Sequence, residues 1–239
     1  MKLAFLVEPP FNYRREDGTV TGCDVELARS VLAMVGMPEL ELIETEFAQL
    51  IPGVADGRWR MTTGLFVTEG RRRIVAFSRP IWALPDGLLV RGGNPKRLTG
   101  YAAVVQASDC RLAVIRDQIQ HQSARDFGVP EHRILVCETY DDAAQAVLVG
   151  RADAYASVAR AHSGFLQRNP ALALEVVSVP RAEKEAAFGA FAFNKSDDEL
   201  RTAVDGALRL YLGTDQHRAM MRRFGFASAE VALVAAEAG

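Results

Sequence analysis

Thr68-Glu69-Gly70-Arg71-Arg72-Arg73-Ile74-Val75-Ala76-Phe77-Ser78-Arg79-Pro80 is the stretch on which the reading of this chain turns. Its first arginine, Arg71, carries a planar guanidinium that keeps its proton and can hold a carboxylate by two parallel hydrogen bonds. Arg71 is therefore read as an anchor for an acidic group. A run such as Arg71–Arg73 is more often a solvated basic face, so the weight comes from how the remaining sequence surrounds it.

Composition bounds the answer. The chain has 239 residues, 49% hydrophobic and 24% charged, enough for a sizeable core in one large domain or two lobes. A net charge of −2 gives no general affinity for nucleic acid or anionic lipid. No apolar run of about 18 residues exists to span a bilayer. Met1–Val7 starts like a signal peptide, but Glu8-Pro9-Pro10 cuts the apolar stretch short, so it reads as the first strand of a mature or trimmed chain. Cys23, Cys110 and Cys137 form no C-x-x-C pair, and no disulfide framework is expected. His121, His132, His162 and His217 show no zinc-type spacing, so no metal and no cofactor are expected.

Outward from Arg71, short β-type runs alternate with helical patterns, the mark of an α/β protein with mostly parallel strands. Strands are expected at Leu3–Val7 and Leu40–Ile43, a helix from an Asp24 N-cap to about Val35, and a helix over Phe47–Asp56 closed by Gly57. Val75–Ser78 and Gly87–Val90 read as extended. Arg91-Gly92-Gly93-Asn94-Pro95 then breaks the pattern as a lobe boundary. A second unit follows, with strands at Leu112–Ile115, Ile134–Val136 and Asp153–Ala156, and helices at Gln118–Phe127, Tyr140–Val149 and Ser157–Arg168. Phe188–Phe193 reads as a returning strand, and Asp197–Leu212 and Asp215–Arg223 as the closing helices.

Several local patterns share one likeness. Besides the T-x-x-R…F-S-x-P block there are Pro9-Pro10-Phe11 followed by Gly22-Cys23-Asp24-Val25-Glu26-Leu27-Ala28, then Leu50-Ile51-Pro52-Gly53-Val54, Gly150-Arg151-Ala152-Asp153-Ala154, and Asn194-Lys195-Ser196-Asp197. In this order they resemble the type II periplasmic solute-binding proteins, the amino-acid-binding family 3 of ABC-importer receptors. Cys23 stands where an aromatic residue is usual. The resemblance implies a two-lobed periplasmic-binding-protein type II fold, with two mixed, mostly parallel sheets joined by two hinge crossings. Residues 1–90 and 187–239 would form lobe 1 and residues 91–186 lobe 2. It further implies an exported, monomeric receptor in the periplasm, a membrane ABC permease as partner, and Arg71 gripping a ligand carboxylate.

Departures from the family pattern bear on the ligand. The aspartate that commonly binds an amino acid's ammonium has no counterpart in Tyr155-Ala156-Ser157-Val158, and Arg116-Asp117-Gln118-Ile119 replaces the usual Gly-Ser/Thr-Thr turn. Glu8, Phe11, Phe47 and Phe66 instead lie on connections at strand ends, where open α/β sheets bind ligands. Rings can hold a delocalised or alkylated cation, Glu8 can supply the counter-charge, and Arg71 can take the acid end. This set resembles the pocket of ectoine- and hydroxyectoine-binding members. Asp117 and Gln118 are lobe 2 contacts by location. Trp59 and Trp82 read as lobe core or surface, and Asp153 as a structural strand-end residue.

The expectation is thus a non-catalytic receptor that closes around a small zwitterionic carboxylate of the compatible-solute type. Alternatives are an amino-acid or amino-acid-derivative receptor, a dehydratase of the cyclohexadienyl or arogenate type on the same fold, and a sensor module. No pair of polar groups selects the dehydratase chemistry, which needs a placed general acid.

Overall fold

A computed structural model describes residues 1–236 of the chain. Along it run strands β1 (Lys2–Phe5), β2 (Tyr13–Arg14) and β3 (Val20–Thr21), helix α1 (Cys23–Met34), β4 (Glu41–Glu44), α2 (Phe47–Ala55), β5 (Met61–Phe66), α3 (Glu69–Arg72), β6 (Ala76–Phe77), β7 (Trp82–Leu84) and β8 (Asp86–Arg91). Then come α4 (Tyr101–Gln106), β9 (Leu112–Ile115), α5 (Ile119–Asp126), β10 (Ile134–Cys137), α6 (Tyr140–Leu148), β11 (Ala154–Val158), α7 (Ala159–Arg168) and β12 (Leu174–Ser178). β13 (Ala187–Phe193), α8 (Asp198–Tyr211), α9 (Asp215–Arg223) and α10 (Ser228–Ala236) complete it.

These elements gather into two compact units, Met1–Ala83 with the chain from Ala187 onward, and Leu84–Ala186. The first boundary precedes the expected break at Arg91–Pro95 for a physical reason. β8 pairs along its length with β11 and β12, which commits Asp86–Arg91 to the second unit's sheet.

The first unit's main sheet runs β4-β1-β5-β13-β6. β4, β1 and β5 are parallel neighbours, while β13 runs antiparallel to β5 and β6. Parallel pairing is therefore confined to one side of the sheet, less of it than the expected mostly parallel arrangement. Leu3, Ala4 and Phe5 are all buried in β1, as in a strand covered on both faces. Ala4, Leu50, Val54, Leu65, Val75, Ala190 and Ala192 form a common core with the Trp59 ring. Removing each large aliphatic side chain from water contributes about 1.5–3 kcal/mol.

The second unit's sheet runs β10-β9-β11-β8-β12. Here β9 is parallel to β10 and β11, and β8 is antiparallel to β11 and β12. Its core joins Leu88, Val90, Val104, Leu112 and Val114 to Tyr101, whose ring stacks on Phe127 at 4.7 Å.

Two local expectations are corrected. Gly22, not Asp24, stands at the N-cap of α1, and Asp24 lies buried in its first turn. The chain does not close on α9, because α10 follows it.

Candidate functional site

Three adjacent parallel strands, β4, β1 and β5, end on one edge of the first unit's sheet. The segments leaving that edge carry Phe47, the Glu8–Asn12 turn, and Phe66 with Arg71. Carboxyl ends of parallel strands are where open α/β sheets place ligands, because the loops there are free to diverge over a fixed scaffold.

Arg71 is held from two sides. Its Nη1 donates to the Phe66 carbonyl at 2.8 Å, and its guanidinium carbon lies 5.2 Å from the Phe47 ring centroid. Thr68 caps the short α3, accepting from the Arg71 backbone N–H at 3.2 Å, which fixes the backbone under the arginine. The first arginine of the run is thus half-buried, while Arg72 and Arg73 are exposed. The solvated-face reading fits those two and not Arg71.

Glu8 heads a tight turn. Its carbonyl accepts from the Phe11 and Asn12 backbone N–H groups at 3.0 and 3.1 Å, and its own N–H donates to the Asn12 carbonyl at 2.8 Å. Glu8 is buried to 9% exposure, unusual for a loop acid. Phe11 packs on Trp82 at a ring-centroid distance of 5.7 Å, and Phe66 meets the same indole edge to face at 5.0 Å. Glu8, Phe11, Phe66, Arg71 and Phe47 are therefore brought together within one unit, through contacts that include a residue the sequence reading assigned to core or surface, Trp82.

Beneath the indole lies a polar cluster that sequence reasoning missed. Asp24 accepts from Trp82 Nε1 at 3.1 Å, from Thr63 Oγ1 at 2.7 Å and from the Gly64 N–H at 2.9 Å. Burial pushes the Asp24 carboxyl above its ordinary range, and the hydrogen bonds from Thr63, Gly64, Cys23 and Trp82 pull it back. An acid in the first turn of an apolar helix reads as a cap, so its sequence gave no pointer to a partner fifty-eight positions away.

Asp117 and Gln118 belong to the second unit. Asp117 has φ of +61° and an exposed side chain, a left-handed conformation that Asp tolerates. Gln118 occupies the N-cap position of α5, is buried, and its Oε1 meets no hydrogen-bond partner among the described residues. Asp153 accepts from the Arg111 N–H and pairs with Arg91. Among the described residues no cluster of His, Cys, Asp or Glu is arranged to hold a metal, and no helix is long and apolar enough to cross a membrane.

The first of two α/β units thus carries an arginine and aromatic rings at the carboxyl ends of parallel strands. The chain belongs to the bacterial extracellular solute-binding proteins, family 3, whose model matches residues 2–226. It is 30% identical over 238 residues to a probable amino-acid ABC transporter periplasmic-binding protein of Sinorhizobium fredii, covering 97% of this chain and 79% of that protein. An arginine-binding protein of Corynebacterium glutamicum is 27% identical over 225 residues, covering 91% and 71%. Among solved structures, EhuB in complex with hydroxyectoine matches with a TM-score of 0.87 at 25% identity, over 97% of this chain and 90% of that one. The family and these relatives are binding proteins, and the chain is a solute-binding protein of the amino-acid-type ABC transporter family.

Proposed function

We propose that this chain is an exported receptor that closes its two units around a small zwitterionic carboxylate of the compatible-solute type, such as ectoine or hydroxyectoine, and delivers it to an ABC permease. The observation that carries this reading is the seating of Arg71 between the Phe66 carbonyl and the Phe47 ring, on the edge that also holds Phe11 and the buried Glu8. One group takes a carboxylate by a bidentate fork, and the others suit a diffuse cation. Binding of hydroxyectoine by EhuB supports the same ligand chemistry. From the second unit, Asp117 and Gln118 would supply polar contacts, Gln118 through its unpartnered Oε1.

A thermal-shift screen over compatible solutes, betaines and amino acids tests this, since a ligand bound only by the folded state raises the melting temperature. Ectoine-type solutes should give the largest shifts. A second reading, a receptor for a free amino acid, is favoured by the amino-acid and arginine-binding relatives. Shifts with arginine or other amino acids and none with ectoine or hydroxyectoine would select it.

A further inference from the structure

Trp82 is one of two tryptophans, and the other provides an internal contrast. Trp59 also lies in the first unit, where its Nε1 donates to a backbone carbonyl, that of Leu50, at 3.1 Å, and its ring packs among aliphatic core residues. That is how a structural indole is ordinarily satisfied. Trp82 Nε1 instead donates to the Asp24 carboxylate, and its ring neighbours are Phe11 and Phe66.

We propose that Trp82 is a specificity-determining residue of the solute site, and that Asp24 is the positioning residue that holds its indole behind Phe11 and Phe66. This rests on the proposed function, since it assigns how that site reads a ligand's cation. Burying a carboxylate at 2% exposure is costly unless every lone pair is used. Here both oxygens accept: Oδ1 from Trp82, and Oδ2 from Thr63 and Gly64, with Thr63 Oγ1 itself taking the Asn12 Nδ2 at 2.6 Å. The acid thereby links α1, β5, the Glu8–Asn12 turn and the indole into one connected network.

The backbone leaves a slot for the ring. A Cβ at Gly189 would fall 2.0 Å from the indole Cη2, and one at Gly64 would fall 2.7 Å from Nε1. Gly189 pairs with Phe66 across the β5–β13 ladder, so the slot lies beside the aromatic wall. The edge-to-face contact with Phe66, at an interplanar angle of 86°, and the tilted contact with Phe11 set which ring faces those residues offer. An indole whose N–H donates to a carboxyl oxygen is also richer in π-electron density, which favours a cation on its side of the wall over a neutral group.

The test is calorimetric titration of the parent, Trp82→Phe and Asp24→Asn with ectoine and with cyclohexanecarboxylate, a plain carboxylate of similar ring size. An amide at position 24 can accept on one side only. Turned toward Thr63 and Gly64, it sets its NH2 group against the Trp82 N–H and frees the indole. Both variants should lose about tenfold or more in ectoine affinity while cyclohexanecarboxylate changes by about twofold at most, so the preference for the cationic ligand collapses. A general loss of structure would weaken both ligands alike. Should Asp24→Asn not fold, the indole 15N–1H signal of Trp82 in the parent decides for the acid: it should lie downfield of that of Trp59 and move on saturation with ectoine. An unchanged preference in Trp82→Phe, equal loss of both ligands, or a Trp82 signal unmoved by ectoine overturns the inference and leaves the proposed function standing. A parent that does not bind ectoine removes the proposed function and the inference with it.

Discussion

Arg71 is the residue on which the proposed site depends, and the structure shows what surrounds it. Its place in the block from Thr68 to Pro80 singles it out in the sequence, and the fold adds the Phe66 carbonyl and the Phe47 ring that hold its guanidinium. Lysine keeps the charge but loses the fork. Arg71→Lys should therefore weaken ligand binding at least tenfold with little change in melting temperature, and calorimetry returning parental affinity would exclude Arg71 from the site. Trp82 and Asp24 were not legible, because each looks ordinary in its own segment and their meaning lies in a contact between distant segments. A second residue-scale outcome concerns His162. It is fully buried, its Nε2 donates to the Gly87 carbonyl at 3.2 Å, and Nδ1 accepts from Tyr140 Oη at 2.6 Å. Burial lowers its pKa from 6.5 to about 3. The unfolded chain thus binds the proton first between those values, so stability is full above about pH 6.5 and falls as pH drops toward 3, by up to about 1.4 kcal/mol per pH unit. His162→Gln should flatten the acid limb of urea-unfolding midpoints measured from pH 7 to 4.5, and an unchanged slope would contradict the assignment.

At the scale of elements, strongly patterned segments were read correctly. β9, α6 and α9 fall where the apolar run Leu112–Ile115 and the helical patterns over Tyr140–Val149 and Asp215–Arg223 put them. β5 was missed because Met61-Thr62-Thr63-Gly64-Leu65-Phe66 carries a glycine in mid-strand, which weakens a strand signal, and that glycine is there to admit the indole. β12, α4 and α10 were missed as well. In the second unit, elements are tied by Asp86. Its buried carboxylate accepts from Tyr101 Oη at 2.6 Å, Gln120 Nε2 at 2.8 Å and Lys184 Nζ at 2.6 Å, joining β8 to α4, α5 and the segment before β13. Removing one partner of a buried pair leaves the other charge uncompensated. Lys184→Met should cost about 3–5 kcal/mol in denaturant unfolding, against near neutrality for Arg181→Met, whose pair with Glu185 is exposed. Equal costs for the two would mean that the Asp86 network carries no particular share of stability.

For the whole molecule, the order of motifs along the chain implied the family and its two-lobed architecture before any contact was known. The position of the first boundary was not legible, because Arg91-Gly92-Gly93-Asn94-Pro95 is a conspicuous turn while the commitment of β8 depends on strands far along the chain. Closure of the two units on a ligand should appear in solution scattering as a smaller radius of gyration at saturation, and identical profiles with and without ligand would speak against a closing receptor. The most direct test of the account is calorimetric titration of the chain with hydroxyectoine and ectoine beside arginine and glutamine. Saturable binding of the ectoine-type solutes, stronger than that of either amino acid and weakened by about 0.5–2 kcal/mol in Phe66→Leu, is the expected result. Tight binding of arginine or glutamine with no heat from either ectoine would contradict it.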